Sequence, residues 1–109
     1  MKPMREPTFL ILTALAGTPR HGYGIVREVA ALSDGRVGLL TGTLYTALDR
    51  LTAEGLVEHD RDEEVDGRTR HYYRLTEQGL TALTAETARL RQLTGAAEAR
   101  LRALRPGIV

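Results

Sequence analysis

From Leu80 to Ile108, apolar or small residues recur at alternating steps of three and four: Leu80, Leu83, Thr87, Leu90, Thr94, Ala97, Leu101, Leu104 and Ile108. That spacing lines one stripe of a long helix and makes a heptad seam, loosened by its two Thr, by Ala97 and by the neighbouring Gly95. Five Leu and Ile108 on this seam would each contribute roughly 1.5–3 kcal/mol if fully buried, about 9–18 kcal/mol per chain as an upper bound. A lone helix cannot bury its own stripe, so the seam requires a partner surface. A second copy related by a two-fold axis is the expected partner, and folding back onto the rest of the chain is the alternative. Thr76 is placed to cap this helix, which divides the chain into a head, residues 1–75, and a dimerisation helix, residues 76–109.

The head reads as three short helices and a hairpin. Pro7 suits a first helical turn, and Phe9, Leu10, Ile11, Leu12 and Leu15 follow before the stop at Gly17. Gly17-Thr18-Pro19-Arg20 is a turn, after which Ile25, Val29 and Leu32 fall at i, i+4 and i+7 of a second helix that ends at Ser33-Asp34-Gly35. Arg36 to Leu40 is a brief extended piece. Thr41 is placed to cap a third helix running to Glu54, with Gly55 as its stop. Leu44, Leu48 and Leu51 share one stripe of that helix, and Gly42, Thr46, Asp49 and Ala53 lie opposite, giving a small, polar outward face. Leu56 to Glu64 and Thr69 to Leu75 have strand character, and Asp66-Gly67 between them is a strong hairpin-turn signal. The fold class is mainly α with a small β-hairpin: a winged helix-turn-helix head plus a long C-terminal helix.

A small-faced helix followed at once by a hairpin suits double-stranded DNA, because such a helix enters the major groove while its N-terminus favours nearby phosphate. Candidate contacts are Thr41, Gly42 and Thr43 at the helix start, Tyr45 on its flank, and Thr46, Asp49 and Arg50 along it. His21 and Tyr23 open the second helix, and Arg68 and Arg70 stand at the hairpin tip, where guanidinium groups can follow the backbone or enter a minor groove. Each also has a plain structural reading: capping for Thr41 to Thr43, packing for Tyr45, a loop role for His21 and Tyr23, surface ion pairs for the Arg.

Charge argues partly against DNA. With 15 Lys+Arg against 14 Asp+Glu the net charge is +1, so any basic surface must be local. Between Glu58 and Asp66 stand six acids (Glu58, Asp60, Asp62, Glu63, Glu64, Asp66) and a single Arg61. The acids are expected to face away from DNA and to pair across the hairpin with Arg68, Arg70 and Arg74. The alternative is a winged-helix protein-interaction module without sequence-specific DNA binding, whose acidic hairpin docks a basic partner.

Several strings resemble a known family. They are His21-Gly22-Tyr23-Gly24-Ile25, Thr41-Gly42-Thr43-Leu44-Tyr45-Thr46-Ala47-Leu48-Asp49-Arg50-Leu51, Glu54-Gly55-Leu56-Val57 and Gly67-Arg68-Thr69-Arg70-His71-Tyr72-Tyr73-Arg74-Leu75-Thr76-Glu77-Gln78-Gly79. In this order they resemble the PadR family of bacterial transcriptional regulators and span nearly the whole head; the single tail helix is similar to the smaller PadR subgroup. The resemblance implies a homodimeric repressor on a pseudo-palindromic operator, and some members of that subgroup bind flat hydrophobic compounds at the dimer interface. Thr46 departs from the Pro common in the family, and Gly24 from a larger polar residue. Here the small seam residues Thr87, Thr94 and Ala97 would leave an apolar gap between subunits for a small hydrophobic effector.

Other classes are disfavoured. Absent Cys removes disulfides, thiolate ligands and thiol nucleophiles. His59 and His71 are expected to face each other across the hairpin, but with no third ligand in view no metal or other cofactor is expected. No catalytic constellation stands out, so an enzyme is not expected. No apolar run exceeds four residues and no cleavage pattern follows the basic start, which leads us to expect a cytoplasmic protein without a membrane span.

Overall fold

The computed structural model describes residues 3–104, so the seam position Ile108 lies outside the described residues. In chain order the elements are α1 (Glu6–Leu15), β1 (Arg20–His21), α2 (Gly22–Leu32), α3 (Thr41–Ala53), β2 (Val57–Val65), β3 (Arg68–Leu75) and α4 (Glu77–Ala103). The three helices of the head meet through Ile11, Leu12 and Leu15, Ile25 and Val29, and Leu44, Leu48 and Leu51, all essentially inaccessible, with Val57 closing the core from the sheet. These are the stripes that the apolar periodicity marks out.

The sheet has three strands rather than the two of a simple hairpin, in the antiparallel order β1-β3-β2. Arg20, expected in a turn, and His21, expected at the opening of the second helix, pair with Tyr73 and Tyr72. Two residues carry no periodicity of their own; they become a strand because the outer edge of β3 offers unpaired backbone groups. Arg20 anchors the piece by donating from Nε to the Ala14 carbonyl at 2.7 Å. At the far end of the hairpin Asp66 and Gly67 have φ of 52° and 76°. Two successive positive φ values make the type I′ turn whose twist matches the strands, and Gly67 takes this conformation without a Cβ clash. The ladder slips by one residue between His59 and Arg61: His59 faces Tyr73, Arg61 faces Tyr72, and Asp62 faces His71.

Thr41 does not cap α3. The N-cap is Leu40, which makes no side-chain cap bond, so Thr41, Gly42 and Thr43 form an uncapped first turn. Thr76 does cap α4: its hydroxyl accepts from the Gly79 N–H at 3.0 Å and donates to the Gly55 carbonyl at 2.6 Å.

The long helix parts from the head well beyond Thr76. A Cβ on Gly79 would overlap the Leu56 carbonyl oxygen, Leu83 joins the head's core, and Glu86 is only 1% exposed. Glu86 accepts from the Met4 backbone N–H at 3.1 Å and from Arg89 at 2.6 and 2.9 Å. Leu80 is exposed, Leu90 is half-buried, and every described residue from Arg91 onward is exposed, including Thr94, Ala97, Leu101 and Leu104. Thr87 and Thr94 donate back to the carbonyls of Leu83 and Leu90 at 2.8 and 2.7 Å. Their hydroxyls are thereby satisfied within the helix. No helix among the described residues is long and apolar enough to cross a membrane.

Candidate nucleic-acid interface

The site is built around the outer face of α3. With Leu44, Leu48 and Leu51 turned inward, Thr41, Gly42, Thr43, Tyr45, Thr46 and Asp49 are exposed together. The uncapped first turn leaves N–H groups pointing outward at the positive end of the helix dipole, which suits a phosphate.

Beside it a groove of about 690 Å³ is lined by His21, Gly22 and Tyr23 from the start of α2, Tyr45 from α3, and Val65 to Asp66 with Arg68 to His71 from the hairpin. Three elements distant in sequence thus converge on one concavity. Tyr45 packs so closely on Gly22 that a Cβ there would stand 2.5 Å from its hydroxyl oxygen. His21 caps α2, its Nδ1 accepting from the Gly24 N–H at 3.2 Å. The proton of the neutral ring then sits on Nε2, which remains a donor. Partial burial, and next the nearby Arg70, hold this imidazole below its ordinary pKa, with Glu63 opposing. The ring meets Tyr72 edge-on at 5.3 Å between centroids. Tyr23 is 68% exposed, and Arg27 lies over its ring at 5.7 Å.

Of the three Arg expected to pair with the hairpin's acids, Arg74 does so among the described residues and Arg68 and Arg70 do not. Arg74 reaches Glu58 at 2.7 Å and Asp60 at 2.9 Å. Arg61, on the acidic strand itself, takes Asp60 at 3.0 Å and Glu63 at 3.9 Å, and its guanidinium stacks 4.0 Å from the Tyr72 ring centroid. Thr69 donates to Glu64 at 2.6 Å. Arg68 and Arg70 form no ion pair among the described residues. Two guanidinium groups at the wing tip are therefore uncommitted, and the expected pairing of both with acids is corrected. Their neighbours across the ladder are Val65 for Arg68 and Glu63 for Arg70, and Glu63 is engaged by Arg61 and Tyr72.

Arg50 is not brought into this group. It donates to the Thr8 hydroxyl at 2.9 Å and reaches Glu54 at 3.4 Å, in a separate groove between α1 and α4. Sequence reasoning also missed Asp62. Its Oδ1 lies 2.7 Å from both His59 Nε2 and His71 Nδ1, and these two contacts hold its carboxyl below the usual range. In a regular strand residues three apart point to opposite faces, so no spacing rule pairs His59 with Asp62; the slipped register puts them on one face.

A sequence profile of the transcriptional regulator PadR-like family matches residues 11–85. The transcriptional regulator Rv3488 of Mycobacterium tuberculosis is 39% identical over 76% of this chain and 74% of its own length. A 37.1 kDa protein of transposon TN4556 from Streptomyces fradiae is 41% identical over 83% of this chain, which spans 24% of that longer protein. The crystal structure of Bacillus subtilis PadR in complex with operator DNA superposes with a TM-score of 0.66 and 25% identity, over 77% of this chain and 47% of that one.

Proposed function

Since the chain belongs to the PadR-like family of transcriptional regulators, we propose that it is a homodimeric, sequence-specific repressor of double-stranded DNA on a pseudo-palindromic operator. The observation that carries this reading is a groove beside the uncapped α3 face, on which Tyr45 of that helix, His21 and Tyr23 at the start of α2, and the unpaired Arg68 and Arg70 of the wing converge. The first turn of α3 and the two Arg engage phosphates, while Thr46 and Asp49 approach base edges. Tyr45 and the Nε2–H of His21 add hydrogen-bond donors at the groove's floor. The B. subtilis relative, whose structure contains operator DNA, supports the same use of this fold.

The projecting part of α4 is the dimerisation element, and two heads held by it match half-sites about 34–36 Å apart. Between subunits, Thr87, Thr94 and Ala97 leave an apolar gap in which a small hydrophobic effector shifts the head-to-head spacing through its differential affinity for the two arrangements. A groove of about 290 Å³ reaches that seam at Leu90; Met4, Phe9, Leu10 and Leu32 line it together with the polar Glu6, Ser33, Arg36 and Glu86.

Selection of bound fragments from random double-stranded DNA tests the reading. An enriched inverted repeat is the expected result; recovery of no sequence preference would leave a protein-interaction module in its place. Affinity for the recovered operator falls steeply between 50 and 200 mM salt if several phosphates are contacted, by about tenfold or more.

A further inference from the structure

The wing carries a side-chain cluster apart from the proposed DNA contacts. His59 and Asp62 lie on one face of β2 because the ladder slips between His59 and Arg61, and His71 stands directly opposite Asp62 on β3. The slip is what matters: an extra residue in one strand re-aims a side chain, and here it turns a two-against-one alternation into three donors on one side. One nitrogen of each ring and a carboxylate oxygen of Asp62 all lie within 4.8 Å of one another, and all three residues are exposed. Both imidazoles already converge on the same Asp62 oxygen, at 2.7 Å each.

We propose that His59, Asp62 and His71 form a binding site for a first-row divalent metal of borderline softness, of which zinc is the probe, and that loading it strengthens the wing's hold on phosphate. Two imidazoles and one carboxylate are the donor set that such ions take, leaving a fourth position to water. A tetrahedral zinc with bonds of about 2.0–2.1 Å needs donors about 3.3–3.4 Å apart. The two nitrogen-to-oxygen contacts must therefore open by about 0.6 Å. All three residues are exposed, which leaves their side chains room to rotate.

The second half of the proposal rests on the DNA reading. His71 lines the same groove as Arg68, Arg70 and Tyr45. With both imidazoles in their neutral, ligating form, the free cluster carries one negative charge and the loaded cluster one positive charge. That reversal occurs at the groove's edge, where His71 joins the lining and phosphate is expected.

The test begins without DNA. Chelator-stripped full-length protein is titrated with zinc chloride by calorimetry, alongside His59→Gln, His71→Gln, the double His variant and Asp62→Asn, each checked for an unchanged melting curve. One zinc per chain with a Kd below about 100 μM, weakened by about tenfold or more in each single variant and abolished in the double, is the expected outcome. Weaker binding, or a zinc that survives the double variant, overturns the site. A fluorescent random-sequence duplex is then titrated with the protein, with and without zinc, at 50 and 200 mM salt. Zinc should raise affinity severalfold in the wild type and leave the double variant unaffected; bound zinc without that gain refutes the coupling. A protein that binds zinc but no duplex under either condition counts against the DNA reading alone.

Discussion

At the scale of single residues, the close seat of Tyr45 on Gly22 gives a sharp prediction. Gly22→Ala places a methyl where the phenol now sits, and Tyr45, being partly exposed, must swing away. The fold should hold to within about 1 kcal/mol, whereas duplex affinity should fall roughly 3- to 10-fold, the worth of one displaced hydrogen bond. Tyr45→Phe should show a similar loss by fluorescence anisotropy, and full affinity in both variants would remove Tyr45 from the contact set. Glu86 supplies a prediction about pH. Arg89 donates to its carboxylate and, with help from the Met4 N–H and against the cost of burial, holds its pKa below the ordinary value of 4.5. The unfolded chain therefore takes up this proton first as pH falls, so the stabilisation is complete above about 4.5 and drains away as pH drops toward the lower, folded value. Thermal melts from pH 7 to pH 3 should show Glu86→Gln melting lower than wild type at neutral pH and losing less of its stability in acid. Parallel acid dependences would mean that the contact contributes nothing.

The elements differ in how far their sequence discloses them. Helices α1, α2 and α3 each carry a stripe dense enough to be read directly, and Asp66-Gly67 marks the hairpin because only a few residues tolerate two successive positive φ values. Strand β1 has no signal in its own two residues, since its pairing with β3 is a tertiary event. The cap of α3 differs from its sequence expectation for a related reason: Thr41 is a good capping residue, but the extended piece before it enters the helix one residue earlier, at Leu40. Of the candidate site, α3 and the wing tip were legible from residue type, whereas the fate of Arg50 depends on α1 lying alongside it. The bulge that unites His59 and Asp62 leaves no signature in the chain. The wing's role is tested by Arg68→Ala. Since Arg68 is bound to no acid, its removal should cost nothing in stability, weaken binding to all duplexes alike and reduce the slope of log affinity against log salt by about one. An unchanged slope would place the tip away from the backbone. Thr46→Ala should instead change sequence preference in the same random-DNA selection, with a small effect on general affinity.

On the scale of the whole molecule, the question is what covers the outer half of α4. The described chain measures 63 × 28 × 22 Å, and a 27-residue helix spans about 40 Å, so its length comes largely from this rod. The face that Leu83 and Glu86 press onto the head continues past its edge as Leu93, Ala97, Leu101 and Leu104. Leu93, Leu101 and Leu104 are 56%, 52% and 78% exposed. Leu93 falls outside a strict seven-residue seam and enters the stripe because an unsupercoiled helix drifts by about 20° per heptad. Three Leu at roughly 1.5–3 kcal/mol each are enough to drive association when two copies cover each other's rods. Sedimentation at about 10 μM should then give a dimer, a concentration at which a micromolar interface is mostly occupied. Leu101→Glu with Leu104→Glu should give a monomer, because neither position touches the head and four like charges would meet at the two-fold. The head should remain folded, and the monomer should keep the groove of a single half-site while losing roughly half the salt slope of the wild type. A wild-type monomer, or a double variant that still sediments as a dimer, would move the subunit contact away from this helix and leave the exposed leucines without an explanation.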